Sequence, residues 1–97
     1  METLNFDYPA SQAVSRRAHV GVVGSGDLEV LLEPSPDQQA HVTVRTSAEG
    51  FSEVWEAVLD RFFARNDLAA DVQINDSGAT PGTVALRLAQ AVEESRL

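Results

Sequence analysis

The chain of 97 residues is long enough for one domain of modest size, and its 43% hydrophobic content allows a single core. Its 15 acidic residues against 7 basic ones give a formal net charge of −8, which disfavours nucleic-acid and anionic membrane partners because lysine and arginine must neutralise phosphates. Without cysteine there is no disulfide, thiolate nucleophile or cysteine metal site. No apolar run approaches ~20 residues and no secretory signal is visible, so we expect a cytoplasmic protein.

Residues 1–17 contain a short alternating pattern, in which Leu4, Phe6 and Tyr8 are separated by polar residues before Pro9 ends it. This segment is either an edge strand or an arm that folds onto a partner, and the pattern does not choose between them. We expect residues 18–97 to form a single domain.

Two segments of period two flank Gly24-Ser25-Gly26 and predict a β-hairpin. A three-residue loop places the apolar residues of both strands on one face, whereas a slip by one residue would mix the faces. The same loop puts Gly26 in the left-handed conformation that glycine adopts readily, with Ser25 at the hairpin tip. The predicted cross-strand pairs are Val22 with Leu28, Val20 with Val30, and Ala18 with Leu32.

The remaining elements follow from periodicity and capping signals. Alternation over residues 41–46 predicts a third strand, and residues 71–75 a fourth. Between them lies a helix with Ser52 as its N-cap, and a second helix begins with Thr80 as N-cap and Pro81 at its first position. The order βββαβα predicts an α+β two-layer sandwich, with a mainly antiparallel four-stranded sheet and two helices on one face.

We find no catalytic or metal-site motif in the sequence. His19 and His41 fall at strand positions facing away from the predicted core. Six strand residues separate His19 from Ser25 by about 20 Å, which excludes a Ser-His-Asp triad on that histidine. His41 is not excluded in this way, but nothing in the sequence supports it. The glycines at 21–26 match no nucleotide-binding fingerprint, because a strand follows them rather than a helix.

Ser25 is the residue whose setting suggests a function. Glycines on both sides leave its hydroxyl open to an external enzyme, and the flanking strands make the tip rigid, which suits a residue that is modified. The alternative is an ordinary polar turn residue without function. Asp27 beside the tip and Glu29 on the outer face are candidates for recognition by basic partner surfaces.

Three segments resemble the delta subunit (acyl carrier) family of malonate decarboxylase. They are Val-Gly-Val-Val-Gly-Ser-Gly-Asp-Leu-Glu-Val-Leu at 20–31, Met-Glu-Thr-Leu-Asn-Phe at the start, and Ile-Asn-Asp-Ser-Gly-Ala-Thr-Pro-Gly at 74–82. Ser77 departs from the family pattern, where a larger residue is expected, and this puts nothing catalytic in doubt. The resemblance extends over essentially the whole chain.

The resemblance implies that Ser25, supported by Gly24 and Gly26, carries 2'-(5''-phosphoribosyl)-3'-dephospho-CoA through a phosphodiester. The thiol of this arm would hold acetyl and then malonyl, while partner subunits do the chemistry, so the chain would not itself be an enzyme. The implied partners are an acyl-carrier transferase subunit, malonyl-thioester decarboxylase subunits, a prosthetic-group transferase and a malonyl transferase. The rival hypothesis is a regulatory or scaffolding subunit with an unmodified turn.

Overall fold

A computed structural model describes residues 1–96 of the chain and shows five strands and two helices. The elements are β1 (Glu2–Pro9), β2 (Ala18–Gly21), β3 (Asp27–Pro34), β4 (Gln39–Thr46), α1 (Ser52–Arg65), β5 (Ala70–Ser77) and α2 (Pro81–Ser95).

The strands form one mixed sheet in the order β1-β4-β5-β3-β2. The α+β class with two helices is confirmed, and the sheet is mainly antiparallel as expected, since three of its four strand pairings are antiparallel. The predicted four strands are corrected to five, and one pairing is parallel. β1 pairs with β4 along its whole length and supplies the additional edge strand. β4 and β5 are parallel because α1 crosses between them and returns the chain to the starting edge.

One face of the sheet carries the core and the other is polar. Every second residue of β3, β4 and β5 is buried under the helices, whereas the residues between them are more exposed and mostly polar. The two helices therefore cover one face only and make a two-layer domain. The largest fully buried side chains include Leu28, Leu32, Leu59, Ile74 and Leu88.

Of the two predicted helix N-caps, one is confirmed and the other is wrong. Thr80 caps α2 as predicted, since its Oγ1 accepts a hydrogen bond from the Thr83 amide at 3.2 Å. The prediction for Ser52 is wrong, because Ser52 is the first residue of α1 and the preceding Phe51 makes no side-chain cap. Helix α1 instead begins with the Trp55 amide donating to the Phe51 carbonyl.

Side chains at the β1 edge link it to the rest of the domain. The Tyr8 hydroxyl donates to Asp60 of α1 at 2.6 Å, and its ring stacks on Phe63 with centroids 4.6 Å apart. His41 of β4 bonds to Asp7 of β1 at 2.7 Å and to Asp37 at 2.9 Å. β1 is thus held by side chains as well as by its ladder. Within residues 1–96 no helix is long and apolar enough to span a membrane.

Candidate functional site

The loop between β2 and β3 begins two residues earlier than the sequence predicts. The pairs Ala18–Leu32 and Val20–Val30 are confirmed, but Val22 does not pair with Leu28 and is 65% exposed. The strand ends at Gly21, whose φ of +80° turns the chain out of the sheet. A Cβ at Gly21 would lie only 2.0 Å from the Leu28 carbonyl oxygen, so no other residue fits there. The loop therefore spans residues 22–26.

Ser25 lies at the exposed tip of this loop, in a hydrogen-bonded β-turn. The Asp27 amide donates to the Gly24 carbonyl at 2.9 Å, which closes the turn. Gly26 has a φ of +76°, which confirms the left-handed conformation predicted for it. A positive φ of this size is required at the third residue of a type II turn. The Gly26 amide donates to the Ser77 carbonyl at 2.7 Å. The turn is consequently anchored to the end of β5 while the serine faces solvent.

A bidentate ion pair fixes the side of the tip that faces α2. Arg87 donates from Nε to Asp27 Oδ1 at 3.1 Å and from Nη2 to Oδ2 at 2.8 Å. The Asp27 carboxylate also accepts from the Leu28 amide at 2.7 Å. The hydrogen bonds from Arg87, and then that from Leu28, lower the pKa of Asp27. Asp27 is therefore ionised and its charge is matched inside the chain.

Glu29 is engaged on the outer face of the sheet. Its Oε2 lies 2.9 Å from His19 Nε2, and its Oε1 accepts from Asn75 Nδ2 at 2.9 Å. Both acidic residues that the sequence singles out thus lie near the tip and are held by neighbours. A role for Asp27 and Glu29 in partner recognition stays a prediction.

Two further residues support the tip and were not identified from the sequence. Asp76 is buried next to Ser77 and accepts hydrogen bonds from the Thr46 hydroxyl at 2.8 Å and the Ala79 amide at 3.0 Å. An Asp before Ser-Gly is a turn signal that could have indicated Asp76. Arg87 has no such signal, because its partner Asp27 is 60 residues away.

The histidines do not form a catalytic site with Ser25. His41 pairs with Asp71, six residues along β5 from Ser77, which places it roughly 20 Å from the tip. Hydrogen bonds from His41 to Asp37 and then Asp7 raise its pKa to about 9. Among residues 1–96 there is no cluster of metal-ligating side chains. The Ser25 hydroxyl is therefore accessible and well positioned, but the described residues give it no general base of its own.

Comparisons with known proteins agree over nearly the whole chain. The family model "Malonate decarboxylase delta subunit (MdcD)" matches residues 15–95. A malonate decarboxylase acyl carrier protein of Azotobacter vinelandii is 54% identical over 97% of this chain and 96% of its own length. The protein of the same name from Pseudomonas savastanoi pv. phaseolicola is 50% identical over the same shares.

The structural comparison points the same way. A chain in the crystal structure of a Pseudomonas malonate decarboxylase hetero-tetramer in complex with malonate is 48% identical and superimposes with a TM-score of 0.93. The match covers 98% of this chain and 99% of that chain. Sequence and fold together show that the chain belongs to the malonate decarboxylase delta subunit family.

Proposed function

We propose that this chain is the acyl carrier subunit of a malonate decarboxylase and that Ser25 holds its prosthetic arm. The observation that carries the proposal is the setting of Ser25, an exposed hydroxyl on a turn fixed by Gly26 and by the Asp27–Arg87 pair. A carrier needs an attachment atom that enzymes can reach and a rigid backbone that holds this atom in a fixed position. The names of the relatives support the same role.

The arm that fits this role is 2'-(5''-phosphoribosyl)-3'-dephospho-CoA, joined to Ser25 Oγ through a phosphodiester. When bound, it would supply a thiol that can hold acyl groups as thioesters, and a thioester carbonyl favours decarboxylation of malonyl because it withdraws negative charge. The residues of this chain do the positioning. Gly24 and Gly26 leave space around the hydroxyl, and the turn holds Ser25 away from the sheet.

The chain supplies attachment and delivery, and the chemical steps fall to its partners. With no base bonded to Ser25 among the described residues, activation of the hydroxyl is left to a prosthetic-group transferase. Transferase and decarboxylase subunits, together with a malonyl transferase, would then act on the loaded arm. The cytoplasm is the compartment that we propose for this cycle. Weak, repeated contacts with several partners suit a small acidic protein.

Reconstitution tests the proposal against an unmodified scaffolding subunit. The complex is assembled from its other subunits with the arm-loaded chain, with Ser25→Ala, or with Ser47→Ala as a control at another exposed serine. We expect carbon dioxide release from malonate with the wild type and Ser47→Ala, and none with Ser25→Ala although the complex assembles. Full activity with Ser25→Ala would favour the scaffold.

A further inference from the structure

The two helices leave an open groove between them that the attachment site does not use. It has a volume of about 760 Å³ and runs along the solvent side of α1 and α2. Its floor consists of apolar side chains, and its rim carries arginines. We call it the interhelical groove, and its principal lining residues are Val58, Phe62, Ala85, Ala89 and Val92 on the floor, with Arg61, Arg65 and Arg96 on the rim.

The groove collects positive charge on a strongly acidic protein. All 7 basic residues of the chain are arginines, and 3 of them line this groove against one acidic residue, Glu93. Arg61, Arg65 and Arg96 are exposed, and none of their side chains forms an ion pair within residues 1–96. By contrast, Arg17 and Arg87 are paired with carboxylates. Three arginines without an ion pair among the described residues thus lie together where the surface is also apolar.

The dimensions of the groove suit a helix. Because β4 and β5 are parallel and each leads into a returning helix, α1 and α2 run in the same direction. The lining residues of α2 and its C-cap extend from Pro81 to Arg96, or about 22 Å at 1.5 Å per residue. Small residues at Ala85 and Ala89 keep the floor open along this length. A helix laid in such a groove contacts it through side chains at i, i+3, i+4 and i+7.

We propose that the interhelical groove is a docking site for an acidic amphipathic helix of a partner protein. The apolar face of that helix covers the floor, and its carboxylates meet the three rim arginines. A second copy of this chain is a poor occupant, because a two-fold interface would bring the arginines of both copies together. The proposal goes beyond the carrier function and does not depend on Ser25 being modified.

The placement of the groove has a consequence for delivery. Pro81 and Gly82 line one end, four to five residues after Ser77, which bonds to the tip at Gly26. Arg65 and Arg96 lie at the opposite end, where both helices finish. A partner bound in the interhelical groove contacts α1 and α2 and leaves the Ser25 turn accessible. Docking and arm delivery therefore use separate surfaces.

The test measures binding of the full chain to the assembled remaining subunits of malonate decarboxylase by calorimetry. Arg61→Glu with Arg65→Glu should weaken binding about tenfold or more, and wild-type affinity should fall as salt rises from about 0.1 M to about 1 M. Ala89→Trp, which fills the floor from an exposed position, should weaken binding without charge change. Arg45→Glu, on the outer face of β4, and Ser25→Ala should each stay within about twofold.

Four results would overturn the proposal. The first is binding within about twofold for both groove variants when circular dichroism shows them folded. The second is strong loss with Ser25→Ala alone, which would place docking at the tip. The third is self-association of the purified chain that the groove variants abolish in sedimentation, which would make a second copy the occupant. Hydrogen exchange of the complex should show protection along α1 and α2, and protection confined to β1 or the outer sheet face would also contradict it.

Discussion

Arg87 binds Asp27 through two hydrogen bonds, at 3.1 Å and 2.8 Å, and so ties α2 to the residue two positions after Ser25. The pair is half-buried, with 28% of the arginine side chain and 21% of the aspartate exposed. Bidentate arginine–carboxylate pairs fix orientation as well as distance. We infer that this contact sets the direction in which the Ser25 turn leaves the domain.

Replacing Arg87 should therefore slow attachment of the arm without unfolding the chain. Arg87→Met keeps an aliphatic stem beside Gly21 but loses both hydrogen bonds. We expect the rate of arm transfer to fall severalfold, measured with the prosthetic-group transferase. Arg45→Met, remote from the tip on the outer face of β4, is the matched control. An unchanged rate for Arg87→Met would show that the turn needs no support from α2.

The two positive-φ glycines of the hairpin should differ in their tolerance of side chains. Gly26→Val should destabilise the fold by roughly 1–2 kcal/mol, because a Cβ there meets no neighbour and only the left-handed backbone is unfavourable. Gly21→Ala should cost more than about 2 kcal/mol, since the same backbone cost is joined by a clash with the Leu28 carbonyl. Urea unfolding measures both. A smaller loss for Gly21→Ala than for Gly26→Val would contradict the loop geometry.

Recognition through Asp27 and Glu29 predicts a salt-dependent defect. Asp27→Asn with Glu29→Gln should slow arm transfer most at low ionic strength, with the defect shrinking as salt rises, since screening acts over about 10 Å at 0.1 M. Glu33→Gln with Asp71→Asn removes the same charge at the other end of β3 and β5. An equal defect in this control pair would show that the overall charge of the protein, and not recognition of Asp27 and Glu29, controls the rate of arm transfer. A defect that salt does not change would instead reflect loss of the Arg87 contact.

His41 should make stability depend on pH in the alkaline range. Its folded pKa of about 9 lies above the ordinary value of 6.5, chiefly because Asp37 and then Asp7 bond to the ring. The stabilisation is complete below pH 6.5 and is lost as pH rises through 9, when the folded state also releases the proton. The free energy of unfolding, measured with urea, should fall between pH 6.5 and about pH 9 in the wild type, and it should fall less in His41→Gln. Parallel pH curves for the two proteins would rule out this contribution.

Local sequence signals predicted the hairpin well and its loop less well. Period-two alternation correctly predicted the pairing of Ala18 with Leu32 and of Val20 with Val30. Turn preferences correctly predicted the positive φ of Gly26. The early exit of the chain at Gly21 was missed, because it depends on how closely the Leu28 carbonyl approaches. Such a contact between backbones leaves no mark on apolar periodicity.

Long-range pairing was beyond the reach of the sequence pattern. Strand β1 pairs with β4, whose paired residues lie 30 to 44 positions further along the chain. Leu4, Phe6 and Tyr8 therefore indicate a strand but not its neighbour. The Arg87–Asp27 pair spans 60 residues and could not be predicted for the same reason. The accessible serine was predictable, whereas the contacts that hold it in place were not.

The most direct test is the intact mass of the chain purified from its native host during growth on malonate, followed by peptide mapping. The account predicts an added mass equal to the phosphoribosyl-dephospho-CoA arm, located on the peptide that contains Ser25. In Ser25→Ala this mass should be absent while stability changes by no more than about 0.5 kcal/mol, as for other exposed residues. An unmodified wild-type chain under active malonate metabolism, or a modified residue other than Ser25, would contradict it.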